Sequence, residues 1–275
     1  MRTILDEIVA NRWEEVSGRK KELPLSEICA LIDTGQTRLS LSRRLTTAGS
    51  SGIIAEFKRR SPSKGVINDR VLPEIVTKGY SDAGVSGLSV LTDEKYFGGS
   101  TADFTAARNA NPFTPLLRKD FIVDEYQIYE SRLLNADVIL LIAAVLNKTE
   151  ISRFTTVAHE LGMEVLLELH DDSELDRIDR NVDLIGINNR NLKDFKVDTD
   201  RSIKLLDRLP ARALKISESG LSEPETVDFL RTKGFSGFLM GENFMKSENP
   251  AAACSEFISR LHRGVPANES GNLNE

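Results

Sequence analysis

Two charged side chains interrupt an otherwise apolar run near the end of the first quarter of the chain. Residues 53–65 read IIAEFKRRSPSKG, with Glu56 and Lys58 two positions apart. On a strand, residues two apart point to the same face, so a carboxylate and an ammonium group lie side by side. Such a pair shifts pKa values and suits acid–base chemistry. Later apolar runs also end in polar residues. These are Thr92 and Asp93; Arg118, Lys119 and Asp120; Glu168; Asn188 with Asn189 and Arg190; Ser217 to Gly220; and Gly241, Glu242 and Asn243. The fourth run ends only in Leu140, Leu141 and Ile142. Any one of these charges is equally compatible with a structural ion pair. A whole ring of them is costly to bury without a use.

The elements that must carry these residues follow a simple alternation. Short apolar runs occur at 53–58, 87–92, 115–120, 137–142, 163–169, 184–188, 213–217 and 237–240. Between them lie segments of helical period, including one over 172–181. Gly84, Gly162 and Gly234 stand at helix C-termini. Strands alternating with helices predict a parallel sheet, and eight such units predict an α/β fold of the (β/α)8 barrel type. An open doubly wound sheet would carry a G-x-G-x-x-G turn after its first strand, and none follows residue 58. In a barrel the polar strand ends gather at one mouth. The loops after the seventh and eighth strands, SESG and GEN, read either as a phosphate cradle of backbone N–H groups or as ordinary glycine-containing turns.

The first fifty residues form a helical extension (1–50), the barrel covers 51–263, and 264–275 is a polar tail. In the extension, Ile4, Ile8, Val9 and Trp13 recur at helical spacing and predict packing rather than ligand binding. A second helix is expected over 25–32. His170, just past the fifth strand, is expected to cap or to face solvent. No HExxH, GxSxG or P-loop pattern occurs.

Composition narrows the class. The chain has 275 residues, 40% hydrophobic and 28% charged, enough for a sizeable core. A net charge of −6 argues against nucleic acid as the main partner. Cys29 and Cys254 offer neither a metal spacing nor a disulfide framework, which fits a cytoplasmic protein. The acidic N-terminus does not read as a signal peptide, and the longest apolar run (138–146) is too short to span a membrane.

Several of these stretches together resemble the indole-3-glycerol-phosphate synthases. They are IIAEFKRRSPSKG, LSVLTDEKYFGGS (88–100), LLRKDFIVDEYQI (116–128), LLEL (166–169), IGINNRNL (185–192), ISESG (216–220) and FLMGENFM (238–245), in family order along nearly the whole chain. The resemblance implies a (β/α)8 barrel that closes 1-(2-carboxyphenylamino)-1-deoxyribulose 5-phosphate into indole-3-glycerol phosphate, losing carbon dioxide and water. It implies a small phosphorylated substrate, no cofactor and no metal. Lys119 becomes the general acid of ring closure and Glu168 a second catalytic carboxylate. Glu56 and Lys58 share the pocket, as base and as anion contact or acid, the split between the lysines being open. Asn188 joins the catalytic set; Arg190 and Glu218 hold substrate. Ser219, Gly220, Gly241 and Glu242 bind phosphate. Ser61 and Pro62 open a mobile covering loop, and Phe97, Phe121 and Leu141 wall the aromatic ring. A monomer or weak homodimer is expected. Two departures do not touch the proposed chemistry: Glu242 where some members have Ser, and Leu117 where Met is also seen.

Two rival readings fare worse. A phosphoribosylanthranilate isomerase would need a Cys and an Asp at strand ends, and neither cysteine lies at one. A non-catalytic relative would be free to lose Lys119 or Glu168, and both are present.

Overall fold

The computed structural model describes residues 3–33, 35–190 and 198–263. The expected tail (264–275) and two residues of the IGINNRNL motif, Asn191 and Leu192, lie outside the described residues. Eight parallel strands close into a barrel: Ile53–Phe57, Gly87–Leu91, Leu116–Lys119, Val138–Ile142, Glu164–Leu169, Leu184–Asn188, Leu214–Glu218 and Gly237–Met240. Each pairs with its neighbours in sequence, and the eighth closes on the first through Ile53 opposite Phe238. Helices connect the strands on the outside. Gly84, Gly162 and Gly234 all adopt positive φ, as the turns out of the preceding helices require. The segment over 172–181 departs from the expected helix. It is a short 3-10 helix, Asp172–Arg177, opened by a reciprocal cap between Asp171 and Glu174. No helix among the described residues is long and apolar enough to cross a membrane.

Strand alternation sorts the core into two layers. Ile53, Ala55 and Phe57 face the helices, whereas Ile54 packs inside the barrel with Leu117, Val138, Leu140, Leu166, Leu184, Ile216 and Leu239. A short helix, Leu41–Thr46, plugs the N-terminal end of the barrel by inserting Leu41 and Leu45 into that inner cluster. Gly87 and Gly237 leave room for them: a Cβ at Gly87 would lie 2.6 Å from Leu41 Cδ1, and one at Gly237 would lie 3.1 Å from Leu45 Cδ2. With one end filled by leucine, the opposite mouth is left for polar groups.

The N-terminal helix, Ile4–Glu22, starts at a Thr3–Asp6 capping box and carries Arg19, Lys20 and Lys21 in its last turn, complementing its dipole. It reaches the open mouth through Arg12, which is 2% exposed and lies 2.7 Å from Asp93 and 2.9 Å from Asp120. Asp120 also accepts bonds from Arg118 and Thr92. Burial would raise the Asp120 pKa, but Arg12 and then Arg118 outweigh it and hold the carboxyl below its ordinary value. Breaking such a pair would leave an uncompensated buried charge, so this network fixes the helix position firmly. The expected packing role of Trp13 does not hold. The residue is 45% exposed, because the buried face of the helix runs through Ile8, Arg12 and Val16 instead.

Candidate active site

Period-two alternation delivers the polar side chains to the open mouth. Ile54, Glu56 and Lys58 share the inner face of the first strand, Leu117 and Lys119 that of the third, and Leu166 and Glu168 that of the fifth. On the sixth strand the inner face carries Leu184, Gly186 and Asn188, and on the seventh Ile216 and Glu218. Of these, Glu56, Lys58, Lys119, Glu168, Asn188 and Glu218 line a cavity of about 290 Å³. Arg118 falls on the other face and is buried among Gln127, Ser131 and Asp120.

Lys119 is the hub. Its Nζ donates to Glu168 Oε2 at 2.5 Å and to Glu218 Oε2 at 3.0 Å. Burial works against the ammonium charge, but Glu168, then Glu218, then Glu56 outweigh it and raise its pKa. Lys119 is thus protonated and surrounded by acceptors. Burial would raise the Glu168 pKa, yet Lys119 and then His170 drive it well below the carboxylate range. Glu218 goes the other way. Burial, partly offset by Lys119 and reinforced by Glu168, pushes it up to about 7. Two carboxylates on one lysine therefore differ: one is held ionised, the other is close to taking a proton. Across the mouth Lys58 Nζ donates to Glu56 Oε1 at 2.6 Å.

Two glycines create the space these carboxylates occupy. A Cβ at Gly186 would fall 1.9 Å from Glu218 Oε1. One at Gly241 would fall 2.8 Å from Glu56 Oε1 and 2.9 Å from Glu56 Cβ. Neither has positive φ, so close approach of a side chain, not backbone conformation, calls for glycine here.

The loop after the seventh strand does call for an unusual backbone. Ser219 and Gly220 have φ of 70° and 73°. Asn189 braces the turn, its side-chain amide donating to Ser219 O at 2.8 Å and to Ser217 Oγ at 3.1 Å. Glu242 opens a one-turn helix after the eighth strand, and its carboxylate lies 3.2 Å from Arg190 and 3.5 Å from Lys64. Ser219, Gly220, Gly241, Glu242 and Arg190 all border the cavity.

The apolar side is walled by Phe97 and Phe121, whose ring centroids are 5.8 Å apart. Ser61 and Pro62 border the cavity from a two-stranded hairpin, Arg60–Ser61 with Gly65–Val66, inside the loop after the first strand. Arg59 ties this loop to the next one through Asp103 and Gly98 O, and Asn68 ties it to Met245 O and Ser247 O.

Three expectations need correction or extension. Leu141 does not reach the cavity. It packs outward among the helices, and its neighbours Leu140 and Ile142 face in, as alternation along the strand demands. His170 neither faces solvent nor serves as a cap. It is 8% exposed, lines the cavity and lies 2.8 Å from Glu168 Oε1, since it continues the inner face one step past Glu168. Ile4, Leu5 and Ile8 of the N-terminal helix also border the cavity. Nothing local in the sequence distinguishes that contact from ordinary packing.

Comparison with known proteins agrees with this architecture. A family model described as indole-3-glycerol phosphate synthase matches residues 5–257. An indole-3-glycerol phosphate synthase of Bacteroides thetaiotaomicron is 47% identical over 95% of this chain and 100% of its own. One from Laribacter hongkongensis is 42% identical over 94% of this chain and 100% of its own. Among solved structures, 3-hexulose-6-phosphate synthase from Salmonella typhimurium superposes with a TM-score of 0.61 at 15% identity, covering 77% of this chain and 99% of that one. A tryptophan synthase α-subunit from Pyrococcus furiosus gives 0.58 at 15% identity, covering 78% and 98%. The two structural likenesses establish the barrel fold, and the sequence relatives go further: the chain belongs to the indole-3-glycerol phosphate synthase family.

Proposed function

We propose that this chain closes 1-(2-carboxyphenylamino)-1-deoxyribulose 5-phosphate into indole-3-glycerol phosphate, with Lys119 as the proton donor of ring closure. The observation that carries this reading is Lys119 itself, a buried ammonium group held between Glu168 and Glu218 in a walled cavity. The aryl carbon bearing the carboxylate attacks the ketone carbon. As that bond forms, charge develops on the ketone oxygen, and Lys119 protonates it to a hydroxyl. Loss of carbon dioxide returns the bonding electrons to the ring. The hydroxyl then leaves as water while a proton is removed from the neighbouring carbon. Glu56 is the proposed base of that step and Lys58 the proposed acid or anion contact. Glu168 and Asn188 support the charge at the reacting centre, and Glu218 and Arg190 hold the substrate.

The chemistry asks for no cofactor. Phe97 and Phe121, with Leu140 and Ile142 in place of Leu141, take the aromatic ring. A monomer or weak homodimer in the cytoplasm completes the proposal, supported by a site built from one chain. The net charge of −6 keeps nucleic acid out of the proposed partners. On the same reading the extension 1–50 belongs to the working unit, since its first turns border the cavity. The test is incubation of the purified protein with the substrate, with no metal or cofactor added, while indole fluorescence is followed. Its absence from folded protein that binds the substrate would sink the reading.

For the phosphate we propose the loops after the seventh and eighth strands, through backbone N–H groups and Ser219. Pairing of Glu242 with Arg190 and Lys64 keeps its carboxylate occupied. Gly220→Val should raise KM by about tenfold or more with little change in kcat, because it distorts a left-handed turn that only holds phosphate. Gly241→Val should lower kcat as well, because the new side chain would displace Glu56. Steady-state kinetics of both separates the two roles, and an unchanged KM in Gly220→Val would count against the phosphate site.

The hairpin loop, residues 59–72, is proposed to close over the substrate and exclude water. Its base is tied down by Arg59 and Asn68 while Ser61 to Lys64 form the tip, so motion is assigned to the tip. Deleting Ser61 to Lys64 should weaken substrate affinity and slow turnover. Unaltered kcat and KM in the deletion variant would remove the lid.

A further inference from the structure

His170 has no part in the chemistry assigned above, yet it touches a group that does. It stands just past the fifth strand and continues its inner face one alternation beyond Glu168. Its Nε2 lies 2.8 Å from Glu168 Oε1. A carboxylate only accepts, so that nitrogen carries the hydrogen. Asn188 Nδ2 donates to the same oxygen at 2.9 Å, its amide oriented by the Arg190 N–H bond to Oδ1. Lys119 holds the other oxygen. Glu168 is thus fixed by donors from three places: the third strand, the sixth strand and the residue just past the fifth. The backbone of His170 is itself clamped, its N–H donating to the buried carboxylate of Glu174 at 2.7 Å.

We propose that His170 is a positioning residue for the reaction: its Nε2–H holds Glu168 in one orientation, facing Lys119, so that Glu168 supports the reacting centre while Lys119 remains the proton donor. This rests on the functional reading given above. Charge balance supports it. The inner mouth gathers three carboxylates, Glu56, Glu168 and Glu218, against two ammonium groups, Lys58 and Lys119. The Nε2–H of His170 offsets part of that excess, at the place where a second carboxylate crowds Lys119. The charged groups facing His170 are Glu168 on the fifth strand, Glu218 on the seventh strand and Glu174 on the 3-10 helix, with Lys119 beyond Glu168. Burial alone would lower the His170 pKa. Glu168 first, then Glu174 and Glu218, overcome that and raise it.

The test is steady-state kinetics across pH for the wild type, His170→Ala and His170→Gln. Losing the bond should lower kcat of His170→Ala by roughly 10- to 100-fold, the range for a hydrogen bond to a charged group, with KM nearly unchanged. Glu168 would then hold its proton to higher pH, so the acid limb of the kcat profile should move upward. His170→Gln, which keeps a donor, should recover part of kcat. In the wild type, nitrogen NMR should show the His170 imidazole keeping its proton to higher pH than in Glu168→Gln. Wild-type-like kcat in His170→Ala, a loss confined to KM, or a kcat loss with an unmoved acid limb would each overturn the proposal. So would an imidazole indifferent to Glu168→Gln. In all four cases wild-type turnover continues and the functional reading stands. A wild type that makes no indole product defeats that reading, and the role of His170 falls with it.

Discussion

Lys119→Ala is expected to lower kcat by about 10²- to 10⁴-fold, the contribution typical of a positioned general acid. The loss should fall on kcat and on kcat/KM alike, because the bond to the ketone oxygen strengthens only as charge develops there. Affinity for the substrate should change little, since the phosphate is held elsewhere. The variant should also reorganise locally. Glu168 and Glu218 are 4% and 1% exposed and share Lys119 as partner. Without it, two buried carboxylates face one another, and one is expected to take up a proton rather than remain charged. Single-turnover formation of indole-3-glycerol phosphate, alongside circular dichroism to confirm folding, measures the effect. A loss smaller than about tenfold would move the acid role to Lys58.

Gly186→Ala should also be damaging, although it adds only one methyl group. The new Cβ would lie 1.9 Å from Glu218 Oε1 and 3.0 Å from Glu218 Cδ, with Leu166 Cδ1 at 3.3 Å behind. Both cannot keep their positions. The strand is locked on both sides, Gly186 pairing with Glu168 and with Ile216. The carboxylate is the freer end, so Glu218 should swing away and lose its 3.0 Å bond to Lys119. A fall in kcat of roughly 10- to 100-fold follows if that charged hydrogen bond is lost. Overpacking should also cost about 1–3 kcal/mol of stability. Thermal unfolding and kinetics on the same sample read both. A variant within threefold of wild-type kcat would show that the placement of Glu218 against Lys119 is dispensable. Shortening the acid in the same background, Glu218→Asp, should recover stability by relieving the crowding.

Much of this site was legible before any coordinates. The alternation of strands and helices places all eight strands to within a residue or two of their observed ends, because a parallel sheet buried on both faces writes itself as repeated apolar runs. Period two then brings Glu56 and Lys58 together, as expected from their spacing. The same rule, carried further along the fifth and fourth strands, places His170 inside and Leu141 outside. Neighbours in the chain mislead at those two positions, where the shared face of the strand decides. The 3-10 helix after the fifth strand was hidden for a different reason. A helical period over 172–181 does not reveal that Asp171 and Glu174 cap a short 3-10 helix that ends at Arg177.

By itself, the sequence determined the barrel, the mouth at which polar strand ends collect, and the types of charged side chain that stand there. All of these follow from short-range periodicity and residue chemistry. Only the tertiary structure decided three further things. It set the N-terminal helix beside the cavity through Arg12, Asp93 and Asp120, residues far apart in the chain. It showed that Gly186 and Gly241 are needed for clearance around Glu218 and Glu56. And it separated two chemically identical carboxylates into one held ionised and one pushed up to about 7. Each depends on distances between side chains from different strands or helices. Such distances are set by barrel closure and packing, and no local pattern of residues encodes them.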